Sequence, residues 1–198
     1  MGKTIYIVLT ATGTMLSKAI GVYTRMDLNH ASIAFDEQLN EIYSFGRKQP
    51  NNPFNGGFVR ENVAEGIFHN ASCAIYRCEV SPEAYERIRK KIIQFQLNQE
   101  KYKYNFIGLF GVLLNKEIKR EHAYFCSQFV ATVMQESEKH RLTKTPCLTM
   151  PHHLTTLPHL QPVYEGDLQT YLRMTRGTDT IRPMRMSLLK SLAFRILA

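Results

Sequence analysis

Cys126 lies in the run Tyr124-Phe125-Cys126-Ser127-Gln128-Phe129-Val130, where an apolar stretch delivers a thiol to the expected first turn of a helix. A helix N-terminus carries roughly half a positive charge and unpaired backbone N–H groups, so it favours thiolate over thiol and can also receive an oxyanion. Nucleophilic chemistry at such a thiol needs a base from elsewhere in the chain, since a buried cysteine alone behaves as a small hydrophobic residue. His30, at the head of His30-Ala31-Ser32-Ile33-Ala34-Phe35-Asp36, begins an expected hairpin whose second strand is Glu41-Ile42-Tyr43-Ser44-Phe45-Gly46. In an antiparallel pair the outer ends come back together, so His30 and Ser44 can face one site.

Other elements must carry these residues. Thr4 to Leu9 is β-branched and aromatic enough for a buried strand, and Met15 to Tyr23 has helical apolar spacing suited to walling a cleft. Residues 47–70 read as irregular, with 47–57, rich in Pro and Asn, as a lid or substrate wall. Cys73 to Val80 is a further strand in which Cys73 and Cys78 fall on opposite faces, because their separation is odd. Ser81-Pro82 opens a long helix to about Gln99, with Tyr85, Ile88, Ile92 and Phe95 on one stripe. The cysteine helix is expected from about Phe125 to Lys139. Leu154, Leu157 and Leu160 read as anchors for a proline-rich segment, and Val163 to Leu168 as a last strand or turn before a short helix to Met174. Cys147, His152, His153 and His159 match no tight zinc spacing, so no metal is expected, nor any other cofactor.

Length and composition suit one globular domain: 198 residues, 44% apolar and 21% charged, with 11 Phe and 10 Tyr. Of the formal net charge of +8, the last 26 residues supply five units, from six cations and one acid. The body is only mildly basic and carries no nucleic-acid-binding motif, which argues against nucleic acid as a partner. Four cysteines without the dense spacing of a secreted scaffold point to free thiols in a reducing, cytoplasmic compartment. Residues 1–175 are expected to form the catalytic domain and 176–198 a basic amphipathic tail. Within that tail, residues 184–198 suit peripheral membrane contact, or docking on the core or on a second copy as a homo-oligomer, and the alternative to a catalytic thiol is a non-catalytic membrane- or partner-binding protein that works through this helix.

Three segments together resemble one known family. They are Leu9-Thr10-Ala11-Thr12-Gly13-Thr14-Met15-Leu16-Ser17, the His30 segment and the Cys126 segment, and their order resembles the circularly permuted branch of the NlpC/P60 papain-like cysteine hydrolases, which includes the YiiX-like proteins. The resemblance implies an α+β, papain-like fold: an antiparallel sheet packed against helices, with the nucleophile at a helix N-terminus. It implies Cys126 as nucleophile and His30 as the base that takes its proton and later protonates the leaving group. The Cys126 backbone N–H would help bind the oxyanion. The histidine precedes the cysteine, the reverse of ordinary papain-like order, as permutation requires. At the position of the residue that orients the imidazole this chain has Ser44, a departure from the family's His, Glu, Asn or Gln; the alternatives are Glu41, a dyad with no third residue, or a partner from elsewhere in the chain. Tyr6, Thr12 and Tyr124 are the expected substrate-pocket residues, and the implied substrates are peptides, other amides or lipid acyl groups.

Overall fold

A computed structural model describes residues 2–12, 27–48 and 55–177. The expected helix Met15–Tyr23, residues 49–54 of the expected lid and the amphipathic tail 184–198 lie outside them.

Strand β1 (Lys3–Thr10) is the middle of a sheet whose six strands all run antiparallel to their neighbours. On one side of it lie, in order, β2 (His30–Ala34), β3 (Ile42–Arg47) and β4 (Gly56–Arg60). On the other lie β5 (Ser72–Val80) and β8 (Gln161–Asp167). Because both faces are covered, β1 is apolar on both, and the strict alternation of a half-exposed strand is absent. Ile5, Ile7 and Leu9 face one core, shared with Ala31, Ile33, Phe45 and Phe58. Val8 faces the other, with Ala34, Ile42 and Ile75. The odd spacing of Cys73 and Cys78 works as expected, placing Cys78 in the first core and Cys73 in the second.

The first core is closed by α1 (Pro82–Leu97) and α3 (Cys126–Met134). Ser81 caps α1, its side chain accepting the Ala84 N–H at 3.1 Å, and Pro82 occupies the first helical position. Ala84, Ile88, Ile92 and Phe95 form its buried stripe, while Tyr85 sits at the margin. Phe129 of α3 packs against Phe45, Phe58 and Phe95 with ring centroids 5.2, 5.7 and 5.1 Å away, so the helix that carries Cys126 is seated on an aromatic cluster. Truncating Phe129 to Ala would cost about 3–5 kcal/mol and unseat that helix. Leu154 and Leu157 are buried in the same core.

α3 is shorter than its sequence suggests, ending at Met134 instead of near Lys139. The Glu136 carbonyl is taken by the Arg87 guanidinium of α1 at 3.0 Å, and Ser137 and His140 hydrogen-bond each other at 2.8 Å, so the helical ladder is not continued. A short parallel pair, β6 (Lys103–Tyr104) and β7 (Ala123–Tyr124), brackets the helix α2 (Phe106–Leu113) and leads into α3. The second core is closed by α4 (Leu168–Thr175), which presents Leu168, Tyr171 and Leu172.

The reading of residues 47–70 as irregular is corrected. They contain β4, the outer strand, and a 3₁₀ turn at Gly66–Phe68.

Candidate active site

The site forms where β2 and β3 part. Their register covers only Ile33↔Tyr43 and Ala34↔Ile42. One step beyond, the backbone groups of Ala31 that would continue the ladder find other partners. The Ala31 N–H donates to the Cys126 sulfur, and the Ala31 carbonyl accepts the Ser44 hydroxyl at 2.6 Å. Cys126 is the first residue of α3, so the Ser127 N–H at that helix terminus also donates to its sulfur. The turn into the helix is held by Phe125, extended at φ −103° and ψ 167°, and by Ser127, whose hydroxyl donates to the Thr149 carbonyl at 2.7 Å.

His30 starts β2 with the parity of Ser32 and Ala34, opposite to Ala31 and Ile33. Its Nε2 lies 2.7 Å from Glu61 Oε1, and the other carboxylate oxygen accepts the Ser32 hydroxyl at 2.6 Å. With Nε2 committed to Glu61, Nδ1 is the nitrogen left for the hydrogen bond between His30 and the Cys126 thiol. Glu61 follows β4 directly, its N–H donating to the Ile42 carbonyl at 3.0 Å, and its side chain returns across β3 toward β2. Gly46 lies in the path: a Cβ there would stand 3.7 Å from Glu61 Oε1 and 3.9 Å from His30 Cε1. A longer side chain at 46 would intrude between the acid and the imidazole.

The electrostatics follow from this geometry. Burial by itself disfavours imidazolium, but the Glu61 charge and the hydrogen bonds to Cys126 and Glu61 outweigh it and raise the His30 pKa to about 10. Burial also disfavours thiolate, yet the hydrogen bond and charge of His30, with the Ala31 and Ser127 N–H groups, hold Cys126 below its ordinary value. Both shifts favour the thiolate–imidazolium form of the pair, backed by a carboxylate. A second side chain reaches the sulfur: Tyr104, half-buried on the cavity wall, hydrogen-bonds Cys126, and burial first and the neighbouring sulfur second push its hydroxyl well above its usual pKa. Tyr104 thus stays a neutral donor. A cavity of about 640 Å³ opens beside these groups, with His30, Glu61, Tyr104, Thr12, Phe68 and Phe106 among its walls.

The structure places His30 against Cys126 and Thr12 on the wall of the cavity that His30 lines, and it puts the other expected site residues elsewhere. Ser44 is not the residue that orients His30, because its hydroxyl is spent on the Ala31 carbonyl. Glu41 is not either, for it pairs with Arg89 and accepts the Tyr43 hydroxyl at 3.1 Å. Tyr6 has the parity of Val8 and packs against the second core, away from α3. Tyr124 packs among Phe45, Phe95 and Tyr102, and the tyrosine at the sulfur is its register partner in the parallel pair, Tyr104. Glu61 was legible only as an acid in the run Phe58-Val59-Arg60-Glu61, Tyr104 only as one of several aromatics.

Among the described residues no group of three or more His, Cys, Asp or Glu side chains is arranged to hold a metal ion. His153, part of the His- and Cys-containing segment, is occupied by the Met150 N–H at 3.0 Å and by Lys144 Nζ at 3.1 Å. No helix among the described residues is long and apolar enough to cross a membrane. Searches of protein-family models, curated proteins and solved structures return no match to this chain.

Proposed function

We propose that this chain is a cysteine hydrolase or acyltransferase that cleaves an amide or ester through an acyl-enzyme on Cys126. The observation that carries the reading is the connected set Cys126–His30–Glu61, in which a buried carboxylate holds one imidazole nitrogen while the other meets a thiol at a helix N-terminus. The thiolate attacks the carbonyl carbon, forming the C–S bond and moving the carbonyl π pair onto oxygen. The Cys126 N–H, free of an intrahelical partner at the first turn, and the Tyr104 hydroxyl are donors beside that oxyanion. As the tetrahedral intermediate collapses, imidazolium passes its proton to the departing nitrogen or oxygen. His30 then deprotonates water, or a second acceptor, which attacks the thioester, and collapse of the second tetrahedral intermediate breaks the C–S bond and restores thiolate and imidazolium. Glu61 fixes the imidazole and stabilises its cation throughout.

The α+β architecture, the cysteine at the head of a helix on an antiparallel sheet, and a histidine earlier in the chain are compatible with the permuted papain-like fold of the NlpC/P60 family, which we retain as part of this proposal. A peptide, another amide or a lipid acyl group remains the substrate class, in a reducing compartment. The test is to incubate the chain with activated acyl esters and thioesters of varied length and to measure intact mass. A single acyl adduct mapped to Cys126 and absent from Cys126→Ala is expected. No adduct with any acyl donor, or adducts spread over surface lysines, would sink the reading.

A further inference from the structure

We propose that the exposed face of α2 is a docking surface for an anionic lipid bilayer. This helix reads Phe-Ile-Gly-Leu-Phe-Gly-Val-Leu, eight residues without one polar side chain. Both glycines are buried and face the residues that flank the helix. A Cβ at Gly108 would meet the Asn105 side-chain amide at 2.2 Å, and one at Gly111 would meet the Lys116 carbonyl at 2.5 Å. The cap side chain and the turn after the helix fold in this closely only because those positions carry no side chain. With the glycines inward, Ile107, Phe110 and, just past the helix, Leu114 turn outward, 51%, 65% and 69% exposed. Their spacing of three and four makes one continuous ridge. Single exposed apolar residues are ordinary, whereas three large ones in a row mark an interaction surface.

Charge selects the occupant. Exposed Lys101, Lys103, Lys116, Lys119 and Arg120 flank the ridge in sequence on both sides. Glu117 and Glu121 are the only acids from 101 to 121, leaving a surplus of three positive charges, and Glu117 is already held by the Thr145 hydroxyl and Lys119. A second copy would bring the same cations against these, with a whole-chain net charge of +8 on each partner. The chain's own residues 173–198 carry a surplus of five positive charges and are repelled in the same way. An anionic lipid surface is attracted by both the ridge and its rim. At eight residues α2 is about 12 Å long, far short of a bilayer core, so it suits lying in the interface and not crossing it. Its first residue, Phe106, is a wall of the cavity beside His30 and Tyr104, so a surface that seats the ridge also meets the cavity mouth. The proposal does not depend on Cys126 being a nucleophile.

The chain contains no tryptophan, so Phe110→Trp supplies a single reporter without background. Mixed with vesicles of phosphatidylcholine and phosphatidylserine, this full-length variant should shift its emission to the blue, pure phosphatidylcholine should shift it much less, and high salt should reverse the effect. Wild-type protein should sediment with the mixed vesicles. A triple variant, Ile107→Ser with Phe110→Ser and Leu114→Ser, should partition at least about tenfold more weakly with an unchanged melting temperature, since these side chains already face solvent. Unshifted tryptophan emission, or equal sedimentation of wild type and triple variant, overturns the proposal. So does a wild-type dimer that the triple variant converts to monomer, which would make this face a contact between copies.

Discussion

Cys78 and Cys73, on the two faces of β5, are as buried as Cys126, at 0%, 1% and 5% exposure. Burial pushes the first two thiols up to about 12, while Cys126 lies below its ordinary value. Burial acts on all three in the same direction, so it cannot be the source of the difference. What separates them is the set of partners aimed at the sulfur. Cys73 has acids nearby, Asp167 and Glu165, and Cys78 has Glu79. Cys126 has an imidazole backed by a carboxylate and two backbone N–H groups. An enclosed thiol becomes a nucleophile through directed donors, and enclosure then strengthens whichever state they favour.

The largest expected effect is complete. At pH 6, iodoacetamide should label Cys126 in the native protein far faster than half-buried Cys147, whose thiol burial holds above its ordinary pKa, while Cys73 and Cys78 stay unmodified until denaturant is added, and Cys126→Ala should abolish the fast labelling, as peptide mass spectrometry would show. Equal labelling of all three would end the contrast. His30→Ala should slow labelling of Cys126 at pH 6 by about 100-fold, because the thiol reverts toward an ordinary pKa of about 8.5. An unchanged rate would mean that the helix terminus alone suffices. Glu61→Gln keeps a hydrogen-bond acceptor but removes the charge that most raises His30, so acyl transfer should fall about tenfold and its alkaline limb should move below the native value of about 10.

Stability against pH sharpens the comparison further. His30, with its pKa raised, contributes in full below 6.5 and loses that contribution as pH climbs through about 10. Cys126, with its pKa lowered, contributes in full above 9.0 and loses it as pH falls. With thiolate and imidazolium in the native state, the native pair and the unfolded pair each hold one proton between 6.5 and 9.0, so the two slopes cancel and this pair leaves stability flat. Below and above that window its contribution falls by about 1.4 kcal/mol per pH unit. In Cys126→Ala the compensation is lost and urea midpoints should decline through the same window. A wild type that declines just as steeply there would show that the native pair is not thiolate and imidazolium. The smallest effect belongs to Ser44→Ala, which leaves the buried Ala31 carbonyl unpaired: about 1–2 kcal/mol of stability, with labelling of Cys126 within about twofold. A tenfold loss of labelling would restore Ser44 as an orienting residue.

The parts of this molecule that local pattern can dictate were readable in the chain. β1, the β2–β3 pair, β5 and the capped α1 follow from β-branched runs, turn residues and the Ser81-Pro82 start. The parity of Cys73 and Cys78 also needs nothing beyond the period of a strand. Glu61 was hidden because β4 begins Gly56-Gly57 after a stretch rich in Pro and Asn, and only pairing with β3 makes it a strand. Ser44 was misplaced because the hairpin was extended as a regular ladder, whereas the strands part at Ala31 to admit a sulfur from another element. Tyr104 and Tyr124 are indistinguishable until their parallel register shows which one lies against the thiol. Each miss concerns a contact between residues far apart in the chain, where tertiary pairing overrides local preference.

The Ala31 amide turns this opening into a reporter. It belongs to a central strand but is held by a sulfur instead of a carbonyl, and a thioether or thioester sulfur is a weaker acceptor than a thiolate. Acylating or alkylating Cys126 should therefore speed hydrogen–deuterium exchange at this one backbone position while Ile33, still registered with Tyr43, stays protected. Occupancy of the thiol can then be read residue by residue from the backbone, with no substrate identified.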